Sequence, residues 1–407
     1  MLSAERLAMQ RRPLLGAGFL ATVLTLYLAA DSSRMALLFV VGLLLGVTLY
    51  HSSFGFTVVY RRFLLHGEVE GIRAQLLMLA IATLLFAPAL AAGDVFGRSV
   101  AGAVAPVGVS MFLGAFLFGI GMQLAGGCGS GTLYNAGGGS PRMLVVLAAF
   151  CAGGFWASLH MGYWQQLPEW EPQAYGEQFG WTLAALVQSG GLMAIYWLLR
   201  KRDRAPAEPT VGLWRGPWPL LAAAFFLAVL NFATLLLAGH PWTITWAFTL
   251  WAAKAALMLG WDPSGTSFWS APFQRDALDA SVLADVTSVM DIGLMLGAGM
   301  AAALAGRFAP QWRIPFRSLA AAILGGLAIG YGARLSYGCN IGAFFSGIAS
   351  TSLHGWVWIV AALLGSSIGI RLRPRFGLEN EPPSRSNRGN PGAGRRAFGA
   401  MPGKAGE

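Results

Sequence analysis

Apolar runs of about 20 residues recur from Leu14 to Ile370 in this 407-residue chain. A helix of about 20 apolar residues has the length that crosses the hydrocarbon core of a bilayer. Only 11% of the residues are charged, whereas a soluble globular protein has about 25%. The sequence therefore predicts an all-α polytopic membrane protein, with the lipid bilayer as its surroundings.

One stretch of the chain occurs twice. Gly114–Gly131, GAFLFGIGMQLAGGCGSG, returns in altered form as GGLAIGYGARLSYGCNIG at 325–342, at the offset of 211 that separates Cys128 from Cys339. Each copy is predicted to be a helix of small residues that runs into a glycine break presenting one cysteine, followed by a short helix. Paired breaks of this kind are typical of transporters with a substrate site between two related halves. We therefore expect two pseudo-symmetric halves with re-entrant loop helices, and the inverted arrangement is favoured.

Composition divides the chain into five parts. Residues 1–34 are a flank and an extra helix without a clear counterpart, 35–199 the first membrane repeat, 200–216 a linker, 217–373 the second repeat and 374–407 a tail. The linker and the tail are rich in Arg and Pro, so both are predicted to be cytoplasmic, and the tail disordered. About eleven apolar runs, Trp242–Leu259 among them, cannot all be crossings if every basic loop is to lie on one side. At least one run is therefore expected to be re-entrant.

A stretch at Tyr50–Arg62, YHSSFGFTVVYRR, is too polar and too short to cross a bilayer. It is predicted to be a helix, a break and a second helix, which is tolerated only where other helices or a cavity cover the backbone. Gly260–Ser270 is the expected counterpart in the second half. Secondary candidates for the substrate path in the first broken stretch are His51, Ser53, Tyr60 and Arg61.

The two repeated cysteines, Cys128 and Cys339, are the main functional candidates. The glycines beside them allow unusual backbone angles, and the start of a short helix favours an anion. A thiol adds a weak hydrogen-bond donor with a polarisable sulfur. This combination suits a soft, sulfur-bearing anion, although buried cysteines beside helix-packing glycines are the alternative interpretation. The candidate path residues are Cys128, Cys339, Arg334, Gln123, Gly127, Gly129, Gly338, Asn340 and Gly342.

Three further polar residues lie within apolar helices. Arg334, whose repeat counterpart is Gln123, either attracts an anion or extends its side chain to the interface. Lys254 and Asp291 are expected to pair across two helices. The third cysteine, Cys151, matches Ala362 in the other repeat and is expected to be structural.

Several classes of protein are excluded by what the sequence lacks. It has no HExxH, CxxC or G-x-S-x-G motif, so an enzyme with catalytic residues of those kinds is not expected, nor is a metal or another cofactor. The net charge of +10 resides in short loops and the tail. That distribution favours an anionic leaflet as the partner and gives no basis for nucleic-acid binding.

The segments GIGMQLAGGCGSGTL and GYGARLSYGCNIGAFFSG resemble the two hallmark segments of the YeeE/YedE family, the sulphur transport family of bacterial inner-membrane proteins. The resemblance implies an hourglass-shaped permease in which Cys128 and Cys339 exchange S–H hydrogen bonds with a passing ion, thiosulfate in characterised members. The family usually has a further cysteine in the first broken stretch, where this chain has Gly55. A wider opening is expected there, which could suit another sulfur oxyanion or a larger compound.

The leading hypothesis is uptake of a small sulfur-containing anion, thiosulfate first, by a multi-pass protein of the bacterial inner membrane. An alternative is a membrane protein that passes a persulfide sulfur to a cytoplasmic sulfur-carrier protein. A third hypothesis is a scaffold whose glycines only pack helices.

Overall fold

A computed structural model describes residues 8–201 and 212–382, and these residues form a bundle of helices. The helices of the first half are α1 Arg11–Asp31, α2 Ser33–Ser52, α3 Phe56–His66, α4 Glu70–Ala92, α5 Val109–Ala125, α6 Gly129–Gly137, α7 Pro141–Leu159, α8 Met161–Trp164, α9 Tyr175–Phe179 and α10 Trp181–Arg200. Those of the second half are α11 Leu220–Ala238, α12 Thr245–Met258, α13 Pro272–Asp279, α14 Val286–Leu304, α15 Phe316–Leu335, a π-helix at Asn340–Ser346, α16 Gly347–Ala349 and α17 Leu353–Leu372.

Other regular structure in the described residues is short and lies in the connections. Single turns of 3₁₀ helix occupy Pro263–Gly265, Val282–Ala284 and Arg373–Phe376. Two antiparallel strand pairs are formed, β1 Asp94–Val95 with β2 Arg98–Ser99 and β3 Val107–Gly108 with β4 Glu169–Trp170. The polytopic all-α architecture expected from the sequence is confirmed.

Ten helical segments of the described chain are long and apolar enough to cross a membrane. They are α1, the α2–α3 pair, α4, the α5–α6 pair, α7, α10, α11, α14, α15 and α17 with its 3₁₀ extension. The apolar run Trp242–Leu259 is not among them, so its interpretation as a crossing is wrong. Its helix α12 has 14 residues, or about 21 Å at 1.5 Å per residue, which is shorter than a hydrocarbon core of about 30 Å.

Several helix ends that carry basic residues lie together at one end of the bundle, here called the basic face. At the start of α1, the side-chain amide of Gln10 donates to the carbonyl of Phe308, 2.9 Å away. Arg142 donates to Ser318 at 2.9 Å, and Arg373 donates to the carbonyl of Gln123 at 2.7 Å. Ten crossings return the chain to the side on which it started, so the basic loops need not be split between two sides. The positive-inside rule predicts that this face is cytoplasmic.

The two repeated helices, α5 and α15, pack against each other in opposite directions. A Cβ atom on Gly114, near the start of α5, would lie 2.7 Å from Cβ of Leu335, at the end of α15. At the other end, Gly325 of α15 is packed against the backbone of Ala125. Related helices that run antiparallel are the arrangement expected of inverted halves.

Glycines allow the helices of the two halves to approach closely. A side chain on Gly119 of α5 would overlap the carbonyl oxygen of Ala362 in α17, and one on Gly330 of α15 would overlap that of Phe150 in α7. The pattern is reciprocal, since α5 packs on α17 and α15 packs on α7, while α2 packs on α14 and α11 packs on α4. Small residues at membrane helix interfaces permit this backbone contact.

The first broken stretch has the predicted form of a helix, a break and a second helix. Its expected counterpart, Gly260–Ser270, does not have this form. Ser53–Gly55 interrupts α2 and α3, and Ser53 adopts a left-handed conformation with φ of 50°. In the second half the buried interruption is the segment 239–244 between α11 and α12, not Gly260–Ser270. Gly260–Ser270 follows α12 and is mostly exposed or half-buried, so the placement of the second break at that stretch is wrong.

The first residues of the predicted tail are held by hydrogen bonds in the described structure. Arg373–Phe376 is a 3₁₀ turn, and Arg373 donates to the carbonyl of Glu379 at 2.7 Å and to Oδ1 of Asn380 at 2.8 Å. Residues 377–382 are thereby held against the basic face. The remainder of the predicted tail, 383–407, and most of the predicted linker, 202–211, lie outside the described residues.

Candidate functional site

The first cysteine is presented by a sharp break between α5 and α6. Gly126 ends α5 in a left-handed conformation with φ of +80°, which a glycine adopts without strain. Cys128 then occupies the N-cap position of α6, and its Sγ lies 3.4 Å from Oγ of Ser130. The cysteine is buried, so its thiol faces the protein interior.

The second cysteine is presented in the same way. Gly338, with φ of +151°, follows the end of α15, and its amide donates to the carbonyl of Ala333 at 2.9 Å. Cys339 is the N-cap residue of the π-helix, and its Sγ accepts from the amide of Ile341 at 3.4 Å. Cys339 is fully buried. Short π-helical segments occur frequently at functional sites.

The two cysteine loops meet at the centre of the bundle. A Cβ atom on Gly129, the residue after Cys128, would lie 3.0 Å from Sγ of Cys339 and 3.4 Å from Cγ2 of Ile244. A Cβ atom on Gly342 would lie 3.1 Å from Oγ1 of Thr243. The buried break at 239–244 therefore reaches the same point as both cysteine loops, and small residues are what let the three segments approach.

Buried polar side chains fix the second break. Asn231 of α11 accepts from the amide of Trp242 at 2.8 Å and donates to Oγ of Ser346 at 3.1 Å. Ser346 in turn donates to the carbonyl of Trp242 at 2.8 Å. These bonds satisfy backbone groups that would otherwise be unpaired within the membrane. Sequence reasoning missed Asn231, Trp242, Thr243 and Ile244, although Gly239 and Pro241 within an apolar run were a signal.

The first broken stretch also contacts the cysteine loops. Nδ2 of Asn340, next to Cys339, donates to the hydroxyl of Tyr60 at 3.1 Å. A Cβ atom on Gly55 would lie 3.3 Å from the hydroxyl of Tyr134. The space in front of Gly55 is therefore taken by this tyrosine, and the wider opening expected there is not found.

Toward the basic face, the site continues as a polar cluster around Arg61. The guanidinium of Arg61 is buried, and its Nη1 donates to Oε1 of Gln123 at 3.0 Å. Nε2 of Gln123 donates to the carbonyl of Thr57 at 3.2 Å. The remaining nitrogens of Arg61 contact the carboxylate of Glu381, with Nε to Oε2 at 2.6 Å.

At the opposite end, Arg334 lines a cavity of about 550 Å³ together with Thr243, His240, Asp285 and Thr287. Its guanidinium lies 4.9 Å from the ring centre of Phe268. The buried Nε of Arg334 has no hydrogen-bond partner among the residues that the structure describes. Because Thr243 also contacts Gly342, this cavity adjoins the central site.

Several polar residues that the sequence singled out make their described contacts away from the central site. His51 packs on Trp218 at a ring-centre distance of 5.3 Å, and Ser53 serves as the C-cap of α2. Lys254 donates to the carbonyls of Leu278 and Ala280 at 2.7 and 2.6 Å. The predicted pairing of Lys254 with Asp291 is therefore wrong.

Asp291 is fully buried, and its carboxylate oxygens have no hydrogen-bond partner in the part of the chain that the structure describes. Cys151 is half-buried on α7. Among the described residues, no group of three or more His, Cys, Asp or Glu side chains could hold a metal ion.

The central site lies within a region that matches a known family. The model of the family described as "Sulphur transport" matches residues 51–368. That range contains both cysteine loops, both buried breaks and Arg334.

The relatives found are named as transporters. The chain is 33% identical over 158 residues to the probable transporter YedE of Escherichia coli, a match that covers 38% of this chain and 37% of YedE. It is 26% identical over 344 residues to the thiosulfate transporter TsuA of Spirochaeta thermophila, covering 80% of this chain and 95% of TsuA. The TsuA of Escherichia coli is 24% identical over 264 residues, which cover 62% of this chain and 71% of that protein. With ten apolar helices long enough to cross a membrane and a family match over most of its length, this multi-pass inner-membrane chain belongs to the sulphur transport family.

Proposed function

We propose that the protein carries a small sulfur-containing oxyanion, thiosulfate first, across the inner membrane through the point where its two cysteine loops meet. The observation that carries this proposal is the position of Sγ of Cys339, 3.0 Å from a Cβ position on the residue that follows Cys128. Both sulfurs are buried among apolar side chains at the centre of the bundle rather than facing lipid.

The chemistry of the site fits an anion that must pass without being held tightly. The thiols of Cys128 and Cys339 are weak donors with soft sulfur atoms, so they can replace part of the water shell of thiosulfate. The start of α6 directs backbone N–H groups toward the same region, which favours negative charge. Weak, exchangeable hydrogen bonds allow an ion to leave as readily as it arrives.

Charged groups lie on each side of this constriction. The cavity lined by Arg334 adjoins the central site through Thr243, and the cluster around Arg61 adjoins it through Tyr60 and Asn340. We propose a path that runs from Arg334 past Cys339 and Cys128 to Arg61. Each guanidinium offers N–H donors to an anion that enters or leaves the constriction.

The persulfide-transfer hypothesis is less well supported. A carrier protein would need to reach a cysteine at the surface, whereas Cys128 and Cys339 are 1% and 0% exposed. The scaffold hypothesis accounts for the glycines of α5 and α15 that touch backbone in neighbouring helices. It does not account for Gly129, which faces a thiol and Ile244 rather than the backbone of another helix.

The test is uptake of radiolabelled thiosulfate by cells that lack other importers. Cells with the wild-type protein should accumulate the label, and the double variant Cys128→Ala, Cys339→Ala should not, although it reaches the membrane in equal amount. Cys151→Ala is the matched control and should transport as the wild type does. Full uptake by the double variant would refute the relay, and covalent sulfur trapped on Cys339 during turnover would favour the persulfide hypothesis.

A further inference from the structure

The guanidinium of Arg61 is built to hold an oxyanion. Its side chain is only 4% exposed, and its Nε and Nη2 atoms both face the carboxylate of Glu381. Two parallel N–H groups of an arginine match the oxygens of a carboxylate, and they match those of other planar or tetrahedral oxyanions equally well.

Groups other than Glu381 also hold the guanidinium of Arg61 in its orientation. The third nitrogen of Arg61 donates to Oε1 of Gln123, and the amide of Gln123 donates to the carbonyl of Thr57. Nη1 of Arg373 donates to the carbonyl of Gln123 at 2.7 Å, which places a second guanidinium nearby. The orientation of Arg61 is therefore set by the bundle, and the two nitrogens that face Glu381 would remain available to another anion.

Glu381 lies outside the spanning helices. Its side chain is 33% exposed, and it lies in 377–382, a segment with no helix or strand among its described residues. Besides Arg61, the segment is held by bonds from Arg373 to Glu379 and Asn380, and by a contact of 2.8 Å between the ring of His66 and the carbonyl of Glu381. The carboxylate can leave without any change in the packing of the spanning helices.

The Arg61 site is linked to the central constriction through Tyr60 and Asn340. Arg61 follows Tyr60, whose hydroxyl accepts from Asn340, and Asn340 follows Cys339. An anion that leaves the cysteines toward the basic face would therefore reach Arg61 next.

We propose that Arg61, supported by Gln123 and Arg373, is a binding site for the transported oxyanion at the basic face, and that the carboxylate of Glu381 occupies this site when no anion is bound. The inference rests on the proposed transport function. Segment 377–382 then carries a carboxylate that competes with the anion for Arg61. The protein opens toward the basic face only when the carboxylate of Glu381 leaves Arg61.

The experiment measures binding of sodium thiosulfate to the purified full-length protein by thermal unfolding, with sodium chloride at equal ionic strength as the reference. Glu381→Gln removes the competing charge and should lower the apparent Kd by about tenfold or more, since a tethered group acts at a millimolar effective concentration. Glu379→Gln makes the same charge change on an exposed neighbour and should bind as the wild type does.

A second pair of variants locates the effect. Adding Arg61→Gln to Glu381→Gln should abolish the gain, and Arg61→Lys in the same background, which keeps the charge but loses the paired N–H groups, should retain only part of it. The proposal is overturned if Glu381→Gln binds no more tightly than the wild type, or if the Arg61→Gln double variant keeps the gain.

Uptake in cells separates this inference from the proposed function. Cysteine-dependent uptake by the wild type, with unchanged binding in Glu381→Gln, would overturn the Arg61 site alone. Tighter binding in Glu381→Gln without uptake by any variant would overturn transport and leave the oxyanion site in place.

Discussion

Sγ of Cys339 lies 3.0 Å from the position that a Cβ atom on Gly129 would occupy. Carbon and sulfur in ordinary contact are farther apart than this, so a methyl group here would have to displace the thiol. Gly129 is the first residue of α6, and glycine is a poorer helix former than alanine. The site therefore keeps a glycine where helix propensity alone would favour a side chain.

We expect Gly129→Ala to reduce thiosulfate uptake at least several-fold while leaving the amount of folded protein unchanged. The control is Gly131→Ala, because a Cβ atom on Gly131 would lie 3.6 Å from Sγ of Cys128, an ordinary contact distance. Uptake rates and unfolding temperatures of both variants in detergent would be compared. Equal uptake by Gly129→Ala and the wild type would mean that the space between the cysteine loops is not used.

The repeated glycines within α5 serve packing instead of the path. A side chain on Gly119 would overlap the carbonyl oxygen of Ala362, so Gly119→Ala should force α5 and α17 apart. Overpacking of a tight core costs about 1–3 kcal/mol or more, and we expect a lower unfolding temperature and less protein in the membrane. In contrast, Gly190→Ala on α10, where no atom lies within 4 Å of the new Cβ, should leave the unfolding temperature unchanged or raise it slightly. If the two variants were equally stable, the close approach of α5 and α17 would not matter to folding.

The cysteine loops and the first broken stretch could be predicted from the sequence because their signals are local. Glycines on both sides of Cys128 and Cys339 mark breaks whatever surrounds them, and polar residues at Tyr50–Arg62 exclude a simple crossing. The antiparallel relation of α5 and α15 followed from the repeat and the usual inversion of such halves.

The second break could not be placed in the same way. The run Trp242–Leu259 is as apolar as a spanning helix, since a helix covered by other helices and one facing lipid have similar composition. What separates them here is the hydrogen bond that the amide of Trp242 donates to Oδ1 of Asn231, a contact between segments that no local pattern reveals. Similarly, the expected pair of Lys254 and Asp291 was inferred from charge alone, and Lys254 instead satisfies the two carbonyls within its reach.

The ion pair between Arg61 and Glu381 should persist through the physiological pH range. Burial alone would raise the pKa of the Glu381 carboxyl, but its hydrogen bonds with Arg61 and the positive charge of Arg61 lower the pKa from 4.5 to about 2. A carboxylate with a lowered pKa stabilises the closed segment fully above its ordinary pKa, and that contribution is lost as the pH falls toward 2.

Hydrogen exchange of the amides in 378–382, corrected for the intrinsic pH dependence of exchange, should therefore show the same protection at pH 8 and pH 5. In Glu381→Gln the protection should be weaker at both values. Loss of protection in the wild type between pH 8 and pH 5 would contradict the assigned ion pair.

Asp291 is expected to lower the stability of the protein. It is fully buried on α14, and its oxygens have no partner among the described residues. A polar group buried without hydrogen bonds costs about 1–3 kcal/mol by mutational data, and a charged one costs more. An asparagine at this position would have nearly the same shape without the ionisable group, so Asp291→Asn should raise the unfolding temperature by a few degrees.

Uptake by Asp291→Asn shows whether the residue has a second role. Unchanged uptake with higher stability would mean that the carboxyl is not needed for transport, whereas greater stability with loss of uptake would indicate a functional carboxyl within the membrane. A lower unfolding temperature would contradict the expectation, because it would mean that the carboxyl is favourably bonded in the folded protein.

Arg334 should govern how readily an anion reaches the cysteines. Its guanidinium lines the cavity of about 550 Å³ that adjoins Thr243, and the acidic side chains of Asp276 and Asp285 line the same cavity. Arg334 offsets part of the negative charge of these two carboxylates, so a dianion would be repelled more strongly without it. We therefore expect Arg334→Gln to raise the KM for thiosulfate about tenfold with a smaller effect on the maximal rate, and Arg334→Lys to restore most of the loss.

The same charge change at an exposed position provides the control. Arg275 on α13 is exposed and donates to the carbonyl of Ser270 at 2.9 Å, so Arg275→Gln should change the KM by less than about twofold, since exposed charges are screened by salt. The dependence of wild-type KM on ionic strength should also become flatter in Arg334→Gln. If Arg334→Gln and Arg275→Gln had the same KM, Arg334 would not attract the substrate, and its stacking on Phe268 would be the better account of its position in the cavity.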